Sequence, residues 1–142
     1  MAGRPLPEFS HIGVEPLTGA AGCEIKGVDL SAPLNRDTLA EIKLALEHFL
    51  VIMFRDQKLT TEQHKAFSGQ FGELMELPQA PIYDGDPLLQ EVRREAHEPV
   101  SVVPFTRFHT DSPFLPEPPL CMVMRALEVP KYGGDTAEAK IQ

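Results

Sequence analysis

Cysteine is scarce in this chain. Only Cys23 and Cys121 occur, far apart and outside any CxxC pattern. That argues against a disulfide framework and against a cysteine-clustered zinc site, and two free thiols are expected. Positive charge is short as well: 13 lysines and arginines face 21 aspartates and glutamates, a formal net charge of -8. Such a balance gives no electrostatic footing for nucleic acid or an anionic membrane. Long apolar runs are missing. The longest, Phe49 to Phe54, falls far short of the roughly 20 residues a membrane-spanning helix needs. The opening residues Met1 to Pro7 lack the apolar segment of a signal peptide, so the expected compartment is cytoplasmic. No internal repeat and no low-complexity segment occurs.

What is present is ordinary for a globular protein, with 142 residues, 42% apolar and 24% charged. That length suits one domain with a real core, and a single domain over 1–142 is expected. Proline is the exception to scarcity. The chain has 14, about twice the average share. They cluster between Pro78 and Pro130, which disfavours helix there and favours short strands joined by loops.

The first half carries clearer signals. Residues 9–30 read as short strands broken by Gly13, Gly19, Gly22 and Gly27. Asn35 or Asp37 is a helix cap, and Leu39, Ile42, Leu46 and Phe49 follow at helical spacing. Leu50 to Phe54 reads as a buried strand ending at the polar turn Arg55-Asp56-Gln57. Thr60 and Gln63 have the spacing of a capping box, opening a second helix that runs to a stop at Gly72. Glu76 to Asp86 reads as loop, Leu88 to Arg93 as a strand and Ala96 to Arg107 as loop. Pro119 to Val129 reads as a strand with Cys121, Val123 and Arg125 on one side.

The chemistry concentrates in Phe108-His109-Thr110-Asp111. Side chains alternate along an extended backbone, so His109 and Asp111 fall on the same side and can grip one metal ion. A second histidine would complete the two-histidine, one-carboxylate face that holds ferrous iron and leaves positions open. No histidine follows His109. His11, His48, His64 and His97 read as surface or loop residues, and Arg55 and Asp56 as structural. Phe105, Phe108 and Phe114 read as core or pocket wall.

Taken in order, several motifs resemble one family. Gly27-Val28-Asp29-Leu30 comes first, then Arg55-Asp56-Gln57 before a capped helix ending Phe71-Gly72-Glu73-Leu74. His109-Thr110-Asp111, Pro118-Pro119, Val129-Pro130 and Gly133-Gly134-Asp135-Thr136 follow. From about His11 to Thr136 this is similar to the N-terminal half of the taurine-dioxygenase-like (TauD/TfdA) family of iron(II)- and 2-oxoglutarate-dependent oxygenases.

The resemblance implies an α+β fold, a double-stranded β-helix or jelly-roll core with flanking helices, here truncated. It implies Fe(II) held by His109, Asp111 and a distal histidine. 2-Oxoglutarate would serve as cosubstrate, its far carboxylate meeting a downstream arginine and the hydroxyl of Thr136. The implied reaction hydroxylates a small organic substrate with molecular oxygen and releases succinate and CO2. The family's distal histidine and arginine have no counterpart before Gln142, and the tail after Thr136 departs from the family pattern. Where the taurine enzyme carries histidine and tyrosine for the sulfonate, this chain has Leu77 and Ala80, which disfavours taurine. The alternative is a catalytically inactive homologue acting as a binding or oligomerisation module, and a homo-oligomer stays open in either case.

Overall fold

The structure, a computed structural model, describes residues 5–76, 82–93, 108–132 and 137. The chain divides into two compact units, residues 1–71 with 124–142, and residues 72–123. In the first unit, β1 (Gly13–Pro16) and β2 (Cys23–Lys26) form an antiparallel pair. Their register sets Glu15 opposite Glu24, a like-charge pairing that is unfavourable on its own. Two cations resolve it. Lys26 pairs with Glu15, and Arg55 Nε donates to Glu24 Oε2 at 2.8 Å.

Helix α1 spans Arg36–Phe49. Asn35 caps it as expected, its side chain accepting from the Thr38 N–H at 2.8 Å. The helix ends at Leu50, which adopts a left-handed conformation (φ 67°) while its N–H still reaches Leu46 O. This cap shortens the expected strand: β3 is only Ile52–Met53, and Leu50 is 48% exposed. Strand β3 lies parallel to β2, with α1 as the crossover that a parallel pair requires.

The buried stripe of α1 is Thr38, Ile42, Ala45, His48 and Phe49. Ile42, Ala45 and Phe49 join Ile12, Cys23 and Ile25 in one core cluster. Phe49 and Ile42 are fully buried, each contributing about 1.5–3 kcal/mol of apolar transfer free energy. The reading of His48 as a surface residue is corrected here: it is only 6% exposed. Helical periodicity puts it on the same stripe as Ala45 and Phe49. Its ring meets Phe49 edge-on at 4.7 Å, and its Nε2 has no hydrogen-bond partner. Both cysteines are free, as expected, and Cys23 sits in the core with its thiol pushed up to about 11 by burial.

Helix α2 (Thr61–Ser68) opens with the complete capping box. The Gln63 N–H donates to Thr60 Oγ1 at 3.2 Å, and the Thr60 N–H donates to Gln63 Oε1 at 2.7 Å. The helix stops at Gly69 rather than Gly72. Phe67 stacks edge-on against Phe54 and Phe71, tying α2 to the chain on either side of it.

In the second unit the stretch read as loop contains part of a hairpin, β4 (Ile82–Tyr83) and β5 (Asp86–Gln90). Asp84 (φ 53°) and Gly85 (φ 73°) both take positive φ, which is the two-residue turn that matches strand twist. Pro87 is tolerated because, among the described residues, β5 has one neighbour. Residues 119–125 alternate as predicted, with Cys121, Val123 and Arg125 half-buried and Leu120, Met122 and Met124 exposed, though they are not assigned as a strand. The Ala96–Arg107 loop lies outside the described residues.

A half-buried carboxylate anchors the segment before β1. Glu41 of α1 accepts from the backbone N–H groups of Ser10 (2.8 Å), His11 (2.9 Å) and Ile12 (3.2 Å). Burial pushes its carboxyl upward, but the hydrogen bonds from Ser10, His11 and Ile12 and the nearby His11 outweigh it, leaving the value below the ordinary 4.5. A carboxyl depressed in the folded state stabilises fully above its unfolded value, and that contribution is lost as pH falls through the folded value. Glu41→Gln should therefore lower the melting temperature at pH 7 and flatten the acid limb of the stability curve below about pH 4.5; thermal melts across pH 3 to 7 check it. In the core, Ile42→Ala should cost about 2–5 kcal/mol in urea unfolding.

Candidate metal centre

The structure brings the two side chains of the His-x-Asp pair together, outside any strand or helix. His109 Nε2 lies 3.2 Å from Asp111 Oδ1, and the two side chains are 44% and 37% exposed. Two donors bound side by side to one divalent ion, each at about 2.1 Å, stand about 3 Å apart. One neutral-capable imidazole and one carboxylate, converging at that separation and open to solvent, fit a divalent cation. Among the described residues no group of three or more histidine, cysteine, aspartate or glutamate side chains is placed to hold a metal. The pair is thus an incomplete ligand set by itself.

The chain reverses immediately after Asp111. Ser112 takes a left-handed conformation (φ 48°), and the Leu115 N–H donates to Ser112 O at 3.1 Å. That bond closes a turn with Pro113 and Phe114 at its centre. Phe114 stands 81% exposed at its tip, so the expectation of core placement fails for it, and Phe108 is exposed too. The turn carries a readable signal, since serine is favoured at the first position and proline at the second.

The remaining predicted residues divide plainly. Thr136, with Gly133 to Asp135, lies outside the described residues, as do Phe105, His97, Leu77 and Ala80. Arg55 is structural as expected, bound to Glu24 of β2, and Asp56 turns the chain at φ 57°. Their neighbour Gln57 acts as a pin that sequence reading missed: its Oε1 accepts from the Leu30 N–H, and its Nε2 donates to Val28 O and Arg55 O. Two concavities of about 410 and 430 Å³ lie in the first unit, one lined by Glu24, Lys26 and Arg55 among others, the second by Leu34, Gln63 and Phe67 among others. Neither includes His109 or Asp111. The chemistry of the donor set, not the size of a cavity, selects the site.

Residues 13–139 match the family model described as Taurine catabolism dioxygenase TauD, TfdA family. The chain is 31% identical over 134 residues to an alpha-ketoglutarate-dependent sulfate ester dioxygenase of Pseudomonas putida, covering 94% of this chain and 43% of that protein. It is 34% identical to an alkylsulfatase of Acinetobacter baylyi, covering 93% of this chain and 40% of the relative. A solved taurine dioxygenase from Burkholderia xenovorans is similar in structure, with a TM-score of 0.51 and 44% identity over 55% of this chain and 28% of that one. A match this long defines the class of the chain. It belongs to the TauD/TfdA dioxygenase family. The chain spans about two fifths of the length of the curated relatives it matches.

Proposed function

We propose that the protein is a non-haem Fe(II)- and 2-oxoglutarate-dependent dioxygenase that hydroxylates a small organic substrate and releases succinate and CO2. The convergence of His109 and Asp111 at 3.2 Å, inside a region matched to the family from residue 13 to 139, carries the reading. His109 and Asp111 would hold the iron, and a histidine beyond this pair would complete the set. When bound, the iron supplies the oxygen activation and the oxidising step. The chain supplies ligation and positioning. The Thr136 hydroxyl would donate to the far carboxylate of 2-oxoglutarate, a role a hydroxyl suits because it donates well to an anionic oxygen. The jelly-roll core and the single-domain reading over 1–142 belong to the same proposal.

Alkyl sulfate esters are the substrate class this reading favours, because two of the curated relatives are named a sulfate ester dioxygenase and an alkylsulfatase. A second reading, a non-catalytic binding module, is favoured by the exposed Leu120, Met122 and Met124 and by the missing third ligand among the described residues.

One assay separates the two. The native protein supplied with Fe(II), 2-oxoglutarate and an alkyl sulfate should release succinate, and His109→Ala should lower that release by more than about 100-fold, beyond the usual cost of losing a mere supporting contact. Unchanged turnover in the variant would sink the site assignment. No succinate from the wild-type protein would favour the binding module.

A further inference from the structure

The turn that follows Asp111 holds a conformation that serine seldom adopts. Ser112 has φ 48°, a region that non-glycine residues enter at a steric cost and β-branched residues scarcely at all. The next residue is Pro113, whose ring disfavours the right-handed helical region for the residue before it. Ser112 is left with two choices. Extended backbone would carry the chain straight on past His109. Left-handed backbone turns it back at once, and the structure adopts that one, closing it with the Leu115 N–H on Ser112 O at 3.1 Å.

The consequence falls on Asp111. Its carboxylate must approach His109 Nε2 while its own backbone leads into the reversal. The 3.2 Å separation is reached with a turn beginning at the very next residue. A backbone outlier that persists beside a candidate site is held there by its surroundings, and such outliers cluster where geometry matters for function. We propose that Ser112, entered left-handed and locked by the Ser112–Leu115 turn, is a positioning residue that presets the Asp111 carboxylate against His109 for metal binding. The inference rests on the reading of His109 and Asp111 as metal ligands.

The test is a Mn(II) titration of the native protein, with free Mn(II) counted by electron paramagnetic resonance, on a graded series at position 112. Glycine enters the left-handed region freely, so Ser112→Gly should bind Mn(II) as tightly as the wild type. Ser112→Ala carries the same Cβ cost as serine and should bind like the wild type, whereas the β-branched Ser112→Val should be weaker by about tenfold, an added cost of roughly 1.4 kcal/mol. Melting temperatures should stay above the titration temperature across the series, so that affinity is read on folded protein. Asp111→Ala is the control for the site itself. If Asp111→Ala loses Mn(II) and Ser112→Val does not, the positioning role is overturned and the ligand assignment stands. Glycine binding as poorly as valine would overturn it equally. If Asp111→Ala binds Mn(II) like the wild type, the ligand assignment fails and the positioning role fails with it.

Discussion

The first unit depends on one desolvation: the stripe Ile42, Ala45 and Phe49 of α1 buried against Cys23 and Ile25 of β2 and against Ile12. A parallel pair such as β2 and β3 cannot be joined by a tight turn. The helix supplies the crossover and the apolar face together. Phe49, at its end, is also where the chain turns into β3: its carbonyl accepts from the Gly22 N–H at 2.9 Å, and Val51 O accepts from Cys23 N–H at 3.0 Å. Local polar devices then trim this frame. Glu41 collects three N–H groups ahead of β1, Gln57 pins residues 28–30, and Arg55 answers the Glu15–Glu24 opposition.

The proposed metal site is placed differently. His109 and Asp111 are half-exposed, in the second unit, outside any strand or helix and just ahead of a reversed turn. That division is physically sensible. A metal ligand must reach solvent and substrate, so it is fixed by backbone geometry and hydrogen bonds, while the apolar energy that stabilises the fold is spent elsewhere. Family membership and the shape of the donor pair point the same way, one from similarity along the chain and the other from two atoms 3.2 Å apart.

How much of this is legible in the residues varies with the range of the interaction. Asn35 and the Thr60–Gln63 box are readable because a cap is chemistry between neighbours three residues apart. The closeness of His109 and Asp111 is readable because residues two apart are neighbours in any fold. His48 misleads, since its polarity suggests the surface while its place in the helical period puts it inside. Asp84-Gly85 reads as loop when it is the turn of a hairpin, and only the pairing of Ile82 with Gln90 settles that. The helix end at Leu50 carries no signal at all, because leucine is a poor choice for a left-handed cap. Ser112-Pro113 does carry a turn signal, and its meaning emerges only beside Asp111.

The most direct test of the central claim is the anomalous scattering of crystals grown with Mn(II). One strong peak is expected, shared by His109 Nε2 and an Asp111 carboxylate oxygen, at about 2 Å from each. Mn(II) bound elsewhere at saturation, with His109 and Asp111 left as a simple imidazole–carboxylate contact, would contradict it.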